Sequence, residues 1–116
     1  MMKQPSLSIL VTSLLAACSS GNASPPVEMY IPMGSVQCSG GGKTLTGLKS
    51  QLQGAGIQFT SVGCGSDGVM RIALCGAPDG RIAIFSIPSS QSPAATQLGF
   101  IPLTKLPNAI RVPCDK

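Results

Sequence analysis

The residues best equipped for chemistry in this 116-residue chain are five cysteines: Cys18, Cys38, Cys64, Cys75 and Cys114. A thiolate can bind a metal, attack a carbonyl or join a disulfide, and the surroundings separate these uses. From Cys38 onward the intervening stretches are 25, 10 and 38 residues long, with no C-x₂-C pair and no histidine in the chain. Zinc sites usually show such a pair, and thiol catalysis usually recruits a histidine base. Neither a metal centre nor a catalytic thiol is expected.

The other polar candidates also read as structural. Asp67 and Asp79 could form a carboxylate or calcium site. Each precedes a glycine (Asp67-Gly68, Asp79-Gly80), where aspartate usually bonds its own backbone. Gly42-Lys43-Thr44 resembles the end of a phosphate-binding loop, but the full pattern needs glycine at position 37, which is Gln37. Met29 and Met33 could be soft copper ligands, yet two methionines in a strand-like stretch suit a core or edge role better. No G-x-S-x-G elbow occurs, and only four acidic residues are present. The chain is poorly supplied for acid–base catalysis. It is read as a non-enzyme without a cofactor.

The N-terminus carries a different signal. Lys3 precedes an apolar run, Leu7–Leu15, that is too short to span about 30 Å of hydrocarbon as a helix. Leu15-Ala16-Ala17-Cys18 follows: a large aliphatic residue, two small ones, then cysteine. This tetrapeptide resembles the lipobox of bacterial lipoproteins, and the resemblance covers the first 18 residues. It implies a signal peptide over 1–17, cleavage before Cys18, a diacylglycerol thioether on Cys18, and a further acyl chain, such as palmitate, on the new amine. One acyl chain binds a membrane only marginally, whereas two or three hold it stably. The alternative is an ordinary secretory signal with an incidental cysteine. Ser19 follows Cys18 where an inner-membrane lipoprotein commonly has aspartate. In a Gram-negative cell this implies the outer membrane, facing the periplasm.

If Cys18 carries lipid, an even set remains. Cys38, Cys64, Cys75 and Cys114 in an exported chain read as two disulfides. Three connectivities are open. The element order below favours 38–64 with 75–114, over 64–75 with 38–114.

Charge excludes one partner class. Past residue 17, seven basic residues face four acidic ones. Lys43, Lys49, Arg71, Arg81, Lys105, Arg111 and Lys116 are scattered and do not cluster as a nucleic-acid surface would.

The elements follow from pattern. Residues 18–26 (CSSGNASPP) read as a lipidated Ser/Gly/Pro tether, and 27–116 as one domain. A first strand is expected within Met29–Cys38. Thr44 suits a helix cap, with Leu45, Leu48, Leu52 and Ala55 on one face and glycines at the end. Ile57–Gly63, Val69–Leu74 and Arg81–Ile87 predict a three-stranded antiparallel meander, joined by the two Asp-Gly turns. Ser92-Pro93 opens a short helix ending at Gly99. Ala109–Val112 completes the pattern as a last strand. The fold class is α+β: helices on a mostly antiparallel sheet, stapled by disulfides. A ferredoxin-like β-α-β-β-β-α-β order is the first expectation, and a helix-plus-meander roll the second. With Cys38 and Cys64 both following parallel strands, this order puts them at one end of the sheet and Cys75 and Cys114 at the other.

The function expected is a membrane-tethered envelope lipoprotein, non-enzymatic, acting as an accessory or protein-interaction module with an envelope partner. The alternative is a small periplasmic ligand-binding or hydrolase-inhibitor lipoprotein. An exposed apolar groove around Phe85, Phe100, Ile101 and Leu103 would favour the first.

Overall fold

The computed structural model describes residues 24–114. The expected signal peptide, Cys18 and most of the tether lie outside that range. Within it run β1 (Pro26–Pro32), α1 (Leu45–Gly54), β2 (Ser61–Ser66), β3 (Arg81–Pro88), α2 (Ser92–Gln97), β4 (Ile101–Pro102) and β5 (Ile110–Val112). β1 opens at Pro26, the last residue of the expected tether.

The five strands form one sheet in the order β4-β1-β3-β2-β5, with every neighbouring pair antiparallel. β1 and β2 are therefore parallel, with β3 inserted between them. The register runs from Pro26↔Pro88 to Pro32↔Ile82 on one side of β3, and from Ser61↔Ser86 to Ser66↔Arg81 on the other.

β3 is central because its sequence suits burial on both faces. Ala83, Phe85 and Ile87 face the helices, while Ile82 and Ile84 face the opposite side, and all five are buried. On the helix side they pack with Met29 and Ile31 of β1, Leu48 and Leu52 of α1, Ile57, Ala95 of α2 and Phe100. Phe85 sits edge-on between Phe59 and Phe100, with ring centroids 5.3 and 5.6 Å away. Such pairs add about 1 kcal/mol each beyond area burial. On the other face Tyr30, Ile82 and Ile84 lie under Ile101, Leu103, Leu106 and Ala109.

Local chemistry sets the helices. Thr44 has extended backbone (φ −108°, ψ 155°), and its hydroxyl accepts the Gly47 N–H at 3.0 Å. That satisfies one of the four orphan donors of α1. Leu48 and Leu52, one turn apart, form its buried stripe. Pro93 occupies the first turn of α2, where its missing N–H costs nothing. Ser92 lies inside this helix and not at its cap.

The α+β class with an antiparallel sheet and disulfides is what folds. The element order differs from the expected one: it is β-α-β-β-α-β-β. The expected middle strand, Val69–Leu74, is an irregular segment, so the meander is a β2–β3 pair joined by a long loop. Sheet edges explain this. β1 and β2 occupy both edges of β3, and β5 takes the outer edge of β2, leaving no edge of β2 or β3 for 69–74. The short β4, which no pattern announced, closes the far side.

The disulfides follow from the same change. They are Cys38–Cys75 and Cys64–Cys114, each with Cα atoms 5.1 Å apart. This is the third connectivity, neither of the two that the expected order ranked. A strand over 69–74 would have carried Cys75 to the opposite end of the sheet. The loop instead returns to the end where Cys38 sits, and β5 beside β2 brings Cys114 to Cys64.

Candidate interaction loop

The loop from Asp67 to Gly80 carries the most unusual surface of the described residues. Val69 is 53% exposed, Met70 91%, Ile72 75% and Leu74 58%; Ile110 on the neighbouring β5 is 60% exposed. Lone exposed apolar residues are ordinary, but a contiguous set marks a contact surface.

The loop is nevertheless firmly held. At its start Asp67 accepts the Val69 N–H at 2.9 Å. The same carboxylate takes both terminal nitrogens of Arg71, each at 2.9 Å. The Arg71 hydrogen bonds hold the Asp67 carboxyl below its ordinary value; partial burial opposes this, and the Val69 N–H reinforces it. Arg71 is raised in turn, first by the Asp67 hydrogen bonds. The pair leaves the tip with no net charge.

At the other end Gln37 acts as a clamp. Its side-chain amide donates to the carbonyls of Ile72 (3.1 Å) and Pro78 (3.3 Å). Its side-chain oxygen accepts the Leu74 N–H at 2.9 Å. Its backbone donates to Ala77 and accepts from Gly76. The next residue, Cys38, is disulfide-bonded to Cys75. Cys38 has φ +76°, an unfavourable region for a side-chain-bearing residue. Such backbone costs on the order of 1–3 kcal/mol and is retained where surrounding structure enforces it.

Asp79 closes the loop. Its carboxylate accepts the hydroxyl of buried Ser35 at 2.8 Å and the Arg81 N–H at 3.0 Å. Both aspartates of the Asp-Gly turns thus make local backbone bonds, and Asp67 adds an ion pair.

The remaining candidates lie elsewhere. Met29 is fully buried in the core, and Met33 packs at its margin. Among the described residues no three His, Cys, Asp or Glu side chains gather as a metal site. Lys43 lines an open depression with Ser35, Thr44, Arg81 and the Cys64–Cys114 disulfide. Ser35, its buried polar residue, is already bonded to Asp79. A groove around Phe85, Phe100, Ile101 and Leu103, which would have favoured the interaction reading, does not form. Phe85 and Phe100 are buried under the helices, and Ile101 and Leu103 cover the opposite face. The two pairs are separated by the sheet.

Sequence reasoning passed over Gln37, Ser35 and Arg71. One signal was present: Asp67 and Arg71 stand four residues apart across Gly68, with too few residues between for two strands. No family model matches the chain, and comparisons with curated sequences and with solved structures find no match.

Proposed function

We propose that this chain is an exported lipoprotein, anchored to the cell envelope through Cys18, whose folded domain works by contact and not by catalysis. The observation that carries the reading is the loop: four apolar side chains held in solvent by a disulfide, a glutamine clamp and an Asp–Arg pair. Exposing such groups has an adverse solvation cost, and fixing their backbone adds an entropic one. The first is recovered when a partner covers the side chains, and the second need not be met again on binding. The lipobox at Leu15–Cys18 supports the envelope address, and in a Gram-negative cell the outer membrane facing the periplasm. The histidine-free composition and the structural use of Asp67 and Asp79 support a non-catalytic role.

Two measurements test it. Intact mass of membrane-extracted protein, before and after reduction, should show acyl groups on a chain beginning at Cys18 and two disulfides. A photo-crosslinking residue at Met70, introduced in living cells, should give protein adducts that the same residue at exposed Gln53 does not. An unacylated chain, or equal adducts from both positions, would overturn the reading.

A further inference from the structure

The segment Val69–Leu74 already has the properties of a peptide ready to enter a cleft. Gly68 and Gly76, with φ +75° and +92°, turn the chain sharply at both ends, while every residue between them keeps negative φ. Between those turns, among the described residues, the N–H groups of Met70, Arg71, Ile72 and Ala73 make no intrachain hydrogen bond. Their carbonyls are equally open except that of Ile72, which Gln37 takes. A run of open backbone groups with outward apolar side chains is what strand-accepting grooves bind. Main-chain hydrogen bonds give affinity there, and pockets for side chains give specificity.

We propose that Val69–Leu74 occupies the substrate cleft of an endopeptidase with an apolar primary pocket, with Met70 filling that pocket, and that the chain thereby blocks the enzyme. The inference rests on the contact reading above and names its partner class. Three features favour this occupant. Met70 is the most exposed of the apolar residues and is unbranched, which suits deep insertion. Arg71 is neutralised by Asp67, so the tip brings no net charge into an apolar cleft. The segment has lost its freedom before binding, since Cys75, Gln37 and Asp67 hold both its ends, and preorganisation raises affinity.

The position of Ser24, where the described chain begins, favours a protein occupant over the bilayer. Ser24 is bonded to Ser90, and the Pro25 carbonyl to the Ser89 N–H, at the Pro26↔Pro88 end of the sheet. The loop springs from the Ser66↔Arg81 end. Seven residues of β1 separate the two ends, about 20 Å at 3.3 Å per residue. Ser24 and the loop therefore stand at opposite poles of the sheet.

The test titrates the purified full-length mature protein, disulfides intact, against chymotrypsin and subtilisin, following hydrolysis of a small chromogenic amide. Chymotrypsin offers a hydrophobic primary pocket. Expected is saturable inhibition of at least one enzyme, weakened roughly 100-fold by Met70→Asp, as for loss of a pocket-filling anchor, and unchanged by Lys43→Ala. No inhibition of either enzyme, inhibition indifferent to Met70→Asp, or ordinary cleavage within 69–74 would each overturn it. So would Met70-dependent binding to phosphatidylglycerol vesicles, or Met70-dependent dimerisation, in place of inhibition. If the Met70 crosslink in cells captures a protein that is not a peptidase, this inference fails while the contact reading stands. If no specific adduct forms, both fail.

Discussion

The side-chain oxygen of Gln37 accepts the backbone N–H of Leu74 at 2.9 Å, across 37 residues of sequence. The same amide reaches the carbonyls of Ile72 and Pro78, so one side chain stands in for the strand partner that the loop lacks. A glutamine amide has two donors and an acceptor, which suits it to this double role.

Gln37→Ala should therefore loosen the loop more than it destabilises the domain. Three part-exposed hydrogen bonds are lost, each with a net value near 1 kcal/mol or less, so global stability should fall by about 1–2 kcal/mol. Amide exchange at Leu74 should accelerate far more than at Phe85 in β3. Equal acceleration at both sites would contradict a local clamp.

Reduction should be sequential. Cys38 and Cys75 are both exposed, whereas in the other bridge Cys114 is exposed but Cys64 is buried, so only one of its sulfurs is open to attack. Under limiting reductant followed by alkylation, peptide mapping should find Cys38 and Cys75 labelled before Cys64 and Cys114. Each bridge closes a stretch of 37 or 50 residues, for which chain entropy predicts a stabilisation of about 4 kcal/mol in the ideal case.

Acid should release the loop's first turn. The Asp67 carboxyl is held below its ordinary value of 3.8, chiefly by the Arg71 hydrogen bonds. A carboxylate lowered on folding contributes stability above its unfolded value and loses it as pH falls through the folded one. The Asp67–Arg71 contact should thus be intact near roughly pH 5 and fade below 3.8. The Val69 and Arg71 amide signals in NMR report it, and Asp67→Asn should abolish the transition.

Two glycines of β2 should respond differently to alanine. A side chain at Gly65 would stand 2.6 Å from the Ile110 carbonyl oxygen, a backbone atom of β5. Gly65→Ala should cost about 2–3 kcal/mol and detach β5. At Gly63 the nearest atom is Arg111 Nη1, 3.1 Å away at the tip of a flexible side chain. That guanidinium crosses the sheet above Gly63 to pair with Glu28. Gly63→Ala should cost less than about 1 kcal/mol, since the displaced ion pair is exposed. Denaturant melts that rank the two the other way would contradict this packing.

Much of the scaffold was legible in the residues. Thr44 and the Leu48–Leu52 spacing announced α1, Pro93 announced α2, and the run Arg81–Ile87 announced a strand. The strand reading failed at Val69–Leu74 because an apolar run between turn signals is only a necessary condition for a strand. Whether an edge is vacant depends on β5, which lies some 40 residues later and pairs with β2. The same distant pairing decided the disulfides. Gln37 was illegible because nothing in its neighbourhood distinguishes a clamp from a solvated surface residue.

The outer strands, β4 and β5, are two and three residues long. Open sheet edges are templates on which other chains stack, and very short edges offer almost no such template. The domain can therefore expose Met70 and Ile72 while its sheet resists joining those of neighbouring copies. Brevity at the margins acts as protection against aggregation.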